Sequence, residues 1–197
     1  MNAKVIDPAV SVRKGLKRLQ LTIEVLDSDV RFANEQWLKN PSSQFWRRTL
    51  VRCLCALFEG TLGLLKGATI EISQAFKVAL SNGDIEIVTE TRSYIEQDRR
   101  KTKPAFQPFP DNVKKTFKVF LKAHGNQPAF DFDDAGFGAL CETALLRNKL
   151  MHPKGPFDVE VNDQAITTAE RGMRWFDDAL SKIFALCGEA VTRLDKH

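Results

Sequence analysis

The sequence predicts an all-α protein, an antiparallel helical bundle, and three observations carry that expectation. Apolar residues recur at steps of three and four over most of the chain. Capping and helix-ending residues bracket those runs. The one stretch rich in β-branched residues, around 84–110, is short and broken by prolines. The 197 residues suit a single domain, with a long N-terminal helix over 1–40 and a core bundle over 41–197. A content of 43% hydrophobic and 27% charged residues places the chain among those that bury a core rather than stay disordered.

The first helix opens at Asp7, a natural N-cap, followed by Pro8 at a position where its missing N–H costs nothing. Val12, Leu16, Leu19, Ile23, Leu26, Val30, Ala33 and Trp37 then form one apolar stripe. Unbroken to Asn40, such a helix is about 50 Å long at ~1.5 Å per residue. Either Asp27-Ser28-Asp29 bends it or one end projects. A second helix restarts after Pro41, with Ser42 or Ser43 as cap and Phe45, Leu50, Leu54, Leu57, Phe58, Leu64 and Leu65 as a broad apolar face. Glu59 borders that face, either exposed at a helix edge or turned inward onto an arginine, because an unpaired buried charge is too costly to keep.

Residues 69–80 continue as a shorter helix with Asn82 and Gly83 as its C-cap. A weak helix over 84–91 and a loop over 92–110, with a hairpin as the alternative, form an irregular basic insertion. Asp111 caps an amphipathic helix with Val113, Phe117, Phe120 and Leu121 on one side and lysines mostly on the other. The next helix starts near Asp133 or Asp134 and stops at His152, because Pro153 disfavours the α conformation in the residue before it. The last runs from Asp163 to Leu194 with an apolar seam at strict three-four spacing. That seam is covered either inside the chain or by a second copy.

The N-terminus lacks the apolar core of a secretory signal, and no long uncharged apolar run suggests a membrane span, so a cytoplasmic location without membrane partners is expected. Cys53, Cys55, Cys141 and Cys187 form no CxxC pair and read as reduced, core-lining thiols. His124, His152 and His197 are too scattered for a metal site, and no cofactor is expected. The net charge of +4 is mild, yet Arg92 to Lys122 carries nine cations against three carboxylates, a local excess of +6. This stretch is either a solvated face or a surface that follows phosphates.

The stretch Leu145-Leu146-Arg147-Asn148-Lys149-Leu150-Met151-His152-Pro153 gathers chemistry at a helix end. At about 100° per residue, Asn148 and His152 share a face, and the long Arg147 side chain reaches the same patch. A guanidinium matches phosphate oxygens, and histidine exchanges a proton near neutral pH. The three suit metal-free work on a phosphodiester. The plain alternative is polar trim of a helix C-terminus, where cations and asparagine are favoured.

"ALLRNKLMHPKG", with its R-x4-H pattern late in a helical chain, resembles the signature of the HEPN (higher eukaryotes and prokaryotes nucleotide-binding) superfamily. "FWRRTLVRCLCALFEGTLGLLK" is similar to an early core helix of bacterial HEPN-like proteins. The resemblance implies a homodimeric, metal-independent endoribonuclease of the toxin or phage-defence kind. In that scheme Arg147 holds the scissile phosphate, His152 acts as general acid or base, and Asn148 orients them. It also implies a separate antitoxin or regulatory protein as a partner. Non-catalytic members imply the alternative, an RNA- or nucleotide-binding or regulatory interaction module that uses the same patch with Lys149 and Lys154.

Overall fold

The computed structural model describes residues 8–96, 99–126 and 130–194. Among these, six helices and one two-stranded hairpin form: α1 (Pro8–Lys39), α2 (Gln44–Ala75), α3 (Asn82–Thr89), β1 (Thr91–Glu96), β2 (Arg99–Pro104), α4 (Phe109–Ala123), α5 (Ala135–Met151) and α6 (Asp163–Leu194). A 3₁₀ turn over Pro156–Val159 joins the last two helices. The protein is all-α, and among the described residues the hairpin is the one departure. Asp7, Asp98 and His197 lie outside the described residues.

The chain divides into two compact units, one holding Met1–Leu19, Leu62–Ala129 and Lys182–His197, the other Gln20–Thr61 and Phe130–Ser181. Helices α1, α2 and α6 contribute residues to both. Along α6, Ile166, Ala169, Phe176, Leu180, Ile183, Cys187, Ala190 and Val191 are buried and Met173 is half-buried. Helix α1 is continuous through Asp27-Ser28-Asp29, where the Ser28 hydroxyl donates to the Val25 carbonyl at 2.6 Å.

In the first unit, Val113, Phe117, Phe120 and Leu121 of α4 are fully buried, as are Leu65 of α2 and Ile183 of α6. His124 ends α4 with its Nδ1 2.9 Å from the Phe120 carbonyl and its ring against Phe76 and Phe120. Burial lowers its imidazole pKa, with the contact to the Phe120 carbonyl opposing. The second unit packs Phe58 of α2 on Phe176 of α6, ring centroids 4.8 Å apart. There α5 runs against α6 through two glycines. A Cβ on Gly136 would sit 2.8 Å from the Trp175 Cβ, and one on Gly172 would sit 2.8 Å from the Leu140 Cα and backbone N. The pairing of 136 with 175 and 140 with 172 makes the two helices antiparallel and fixes the depth of α5.

Three local expectations change. The second helix runs unbroken to Ala75 and ends where Lys77 takes a left-handed conformation at φ 54°. Asn82 and Gly83 therefore open α3 rather than close the preceding helix. Ser81 is the α3 N-cap: its hydroxyl accepts from the Asp84 N–H at 3.2 Å, and its own N–H donates to Asp84 Oδ2 at 2.8 Å. At α4 the N-cap position falls to Pro108, and Asp111 lies in the first turn, where its charge still favours the helix dipole. Phe45 is 60% exposed rather than part of the α2 apolar face. The sequence alternatives at 92–110 resolve to a hairpin, Thr91 facing Pro104 and Glu96 facing Arg99. By length and composition alone α2 could cross a bilayer, and half of its most apolar window is buried in the protein, as expected of a core helix.

Candidate functional site at the end of the fifth helix

Helix α5 is held at both ends by its own sequence. Asp134 caps its start, accepting from the Gly136 N–H at 2.5 Å. At the other end the His152 N–H donates to the Asn148 carbonyl at 3.0 Å, and His152 leaves the helical region at φ −132°, ψ 60° ahead of Pro153. The candidate residues occupy this last turn.

Arg147 Nη1 donates to Asn148 Oδ1 at 3.1 Å, and Nη2 forms an ion pair with the Glu59 carboxylate of α2. The Arg147 and Glu59 side chains keep 30% and 42% of their surface, so the pair is open to water and to a ligand. Asn148 and His152 are exposed. The His152 backbone is tied to Asn148 one turn back, which sets both on one face of the helix end. Among the described residues, the His152 ring makes no hydrogen bond. Lys149 and Lys154 are exposed on either side of the helix end. The Lys154 N–H donates to Asp158 Oδ2 at 2.8 Å, which steadies the turn after Pro153. The structure thus brings Arg147, Asn148 and Glu59 into direct contact and sets His152 on the adjoining turn.

Further residues position the site without belonging to the motif. Arg52 Nη2 donates to the Leu150 carbonyl at 3.4 Å, a cation at the negative end of the α5 dipole. Arg48 Nη1 reaches the Val159 carbonyl at 3.1 Å. Buried Arg47 holds the Pro41 carbonyl at 2.6 Å, the Val161 carbonyl at 3.0 Å and Asp163 Oδ1 at 2.6 Å. Together these arginines clamp the return loop from α5 to α6. Their signal in the sequence is three guanidinium groups, at 47, 48 and 52, crowded into the first turns of a core helix.

Cys55 lies beneath the motif, its thiol 3.7 Å from the Thr143 carbonyl. Burial, reinforced by the Glu59 carboxylate and opposed by Arg147, pushes that thiol up to about 12, so it is no nucleophile at neutral pH. A cavity of about 350 Å³ in the same unit is lined by Ile23, Glu24, Asp27, Arg31, Leu57, Asp177 and Leu180 and contains no motif residue. There Asp177 is raised to about 6, by burial first and by Asp27 and Asp178 next, with Arg31 opposing. No group of metal-ligating side chains occurs among the described residues.

No known family model, characterised protein or solved structure matches the chain.

Proposed function

We propose that the end of α5 is a HEPN-type RNA site and that the protein is a metal-independent endoribonuclease, acting as a toxin or in phage defence. The observation that carries the reading is the exposed His152 ring on the turn adjoining a guanidinium held in place by Asn148 and Glu59. In the reaction, an imidazole takes the proton of a ribose 2′-hydroxyl, and the 2′-oxygen forms a bond to phosphorus. The bond from phosphorus to the 5′-oxygen then breaks, and that oxygen receives a proton. Products are a 2′,3′-cyclic phosphate and a 5′-hydroxyl. Arg147 neutralises the phosphoryl oxygens as charge builds on them.

One patch supplies one imidazole, whereas the reaction uses a base and an acid, so the active form in this reading is a homodimer that pairs two His152 side chains. Lys149 and Lys154 hold the flanking phosphates. A separate antitoxin or regulatory protein would restrain the activity by covering the patch.

One observation favours a second reading. Arg147 already has a carboxylate partner in Glu59, and a guanidinium so occupied suits reversible binding of RNA or a nucleotide better than a committed catalytic role. The test is incubation of the purified protein with single-stranded RNA in EDTA. Cutting that is abolished by both Arg147→Ala and His152→Ala, with thermal stability preserved, supports the nuclease. Retention of RNA without cutting supports the binding module. Neither cutting nor binding reduces the patch to helix-end trim.

A further inference from the structure

We propose that the β1–β2 hairpin is a docking surface for single-stranded nucleic acid. It shares with the proposed function only the choice of RNA as ligand and uses none of the α5 residues. In the register, Arg92 faces Lys103, Tyr94 faces Lys101 and Glu96 faces Arg99. Directly opposed residues of an antiparallel pair point to the same side, and alternate residues along a strand share a face. One face therefore carries Arg92, Tyr94, Arg99, Lys101 and Lys103 with a single carboxylate, Glu96. All are exposed. Lys101 pairs with Glu96, and the Lys103 Nζ lies over the Tyr94 ring at 5.6 Å from its centroid. Among the described residues, no carboxylate pairs with Arg92, Arg99 or Lys103.

The platform is attached firmly within its unit. The Ser93 N–H donates to Glu86 Oε1 of α3 at 2.7 Å, and the Ala105 N–H closes the hairpin base on the Glu90 carbonyl at 2.8 Å. Glu90 itself is in the left-handed region and pairs through its carboxylate with the buried Lys66 of α2 at 2.6 Å. The face turned away from α3 is thus presented to solvent by a scaffold that does not have to order on binding.

Charge and shape together choose the occupant. Four cations against one carboxylate suit a polyanion. An aromatic ring set among them suits a base, because base stacking on an aromatic face tolerates any sequence. A strand of six residues is about 20 Å long at ~3.4 Å per residue, the length of roughly six stacked nucleotides. The exposed Ile95 projects from the opposite face, so the face that gathers Arg92, Arg99, Lys101 and Lys103 offers no aliphatic side chain for insertion into an anionic membrane. A duplex would bury its bases away from Tyr94.

The test uses the full chain carrying Arg147→Ala, so that probe RNA is not cut, and reads fluorescence anisotropy of a labelled twelve-residue oligouridine across a salt series. Expected is binding that Tyr94→Ala weakens roughly 5- to 150-fold and Tyr94→Phe leaves nearly unchanged. Glutamine at Arg92, Arg99 and Lys103 together should lower the slope of log affinity against log salt by about 2 (~0.7 per lost contact). Circular dichroism and thermal unfolding should not change. No binding, binding indifferent to Tyr94, equal affinity for the matching duplex, or binding to phosphatidylserine vesicles in place of RNA would each overturn the proposal. RNA left uncut by the unsubstituted chain while Tyr94-dependent binding persists is failure of the α5 site alone, and cutting by the unsubstituted chain with binding indifferent to Tyr94 is failure of the hairpin alone.

Discussion

The Glu59–Arg147 pair is where a structural and a functional role for Arg147 make different numerical predictions. With both side chains between a quarter and a half exposed, the Coulomb attraction of about 1–4 kcal/mol at contact is largely offset by screening and lost rotamer freedom. A net coupling of roughly 0.2–1 kcal/mol remains. For a chain of this size that corresponds to about 2–4 °C in Tm at most. Replacing Glu59 with Gln removes the charge that competes with phosphate for the guanidinium. RNA affinity should therefore rise, by up to about fivefold if the whole coupling is released. The gain should vanish in the Arg147→Ala background. The measurement is a double-mutant cycle of Glu59→Gln and Arg147→Ala, read by thermal unfolding and by RNA binding. A stability coupling above about 2 kcal/mol with no change in RNA affinity would mean that Arg147 is a strut between α2 and α5, and the reasoning would fail.

Gly172→Ala should destabilise by roughly 1–3 kcal/mol, since the new methyl meets Leu140 backbone that cannot rotate away. Gly138→Ala, with nothing within 4 Å, should instead stabilise by about 0.5–1 kcal/mol through helix propensity, and thermal unfolding of the pair checks both. Asp177, raised to about 6 in the folded protein from an ordinary carboxylate value near 4, favours its protonated form on folding. Its contribution to stability is therefore fully present below pH ~4 and lost as pH rises to ~6. Asp177→Asn should raise Tm at pH 7 and leave it nearly unchanged at pH 4.

Periodicity made the helices legible because the long ones bury one continuous stripe each. Val12, Leu19, Val30 and Ala33 in α1, and Ile166, Phe176, Ile183 and Cys187 in α6, are all inside. The end of α5 was equally legible, since Pro153 acts on its neighbour through local sterics alone. Misplaced boundaries occurred where two local motifs compete. Asn82-Gly83 fits a C-cap, but the Ser81–Asp84 reciprocal cap prevails because it satisfies both backbone and side-chain groups. Pro108 and Pro110 similarly fix the first turn of α4 ahead of Asp111. The hairpin was ambiguous because the alternation that marks a strand is confined to Thr91–Tyr94, half-buried against exposed, and is lost beyond it where Ile95 and Glu96 are both exposed.

The α5 patch was legible only along the helix. That Arg147, Asn148 and His152 are close follows from a rise of about 1.5 Å per residue, which any helix provides. What the guanidinium faces across the groove does not follow, because Glu59 lies 88 positions away and its contact depends on how deeply α5 sits against its neighbours. That depth is set in turn by Gly136 and Gly172, residues with no chemistry of their own. The same dependence gives the site its character. A larger residue at 172 would push α5 off α6, and Arg147 would move relative to a carboxylate carried on a different helix. Chemistry at the helix end thus rests on two positions without side chains, and Gly172→Ala should alter RNA handling as well as stability even though it touches none of the polar groups.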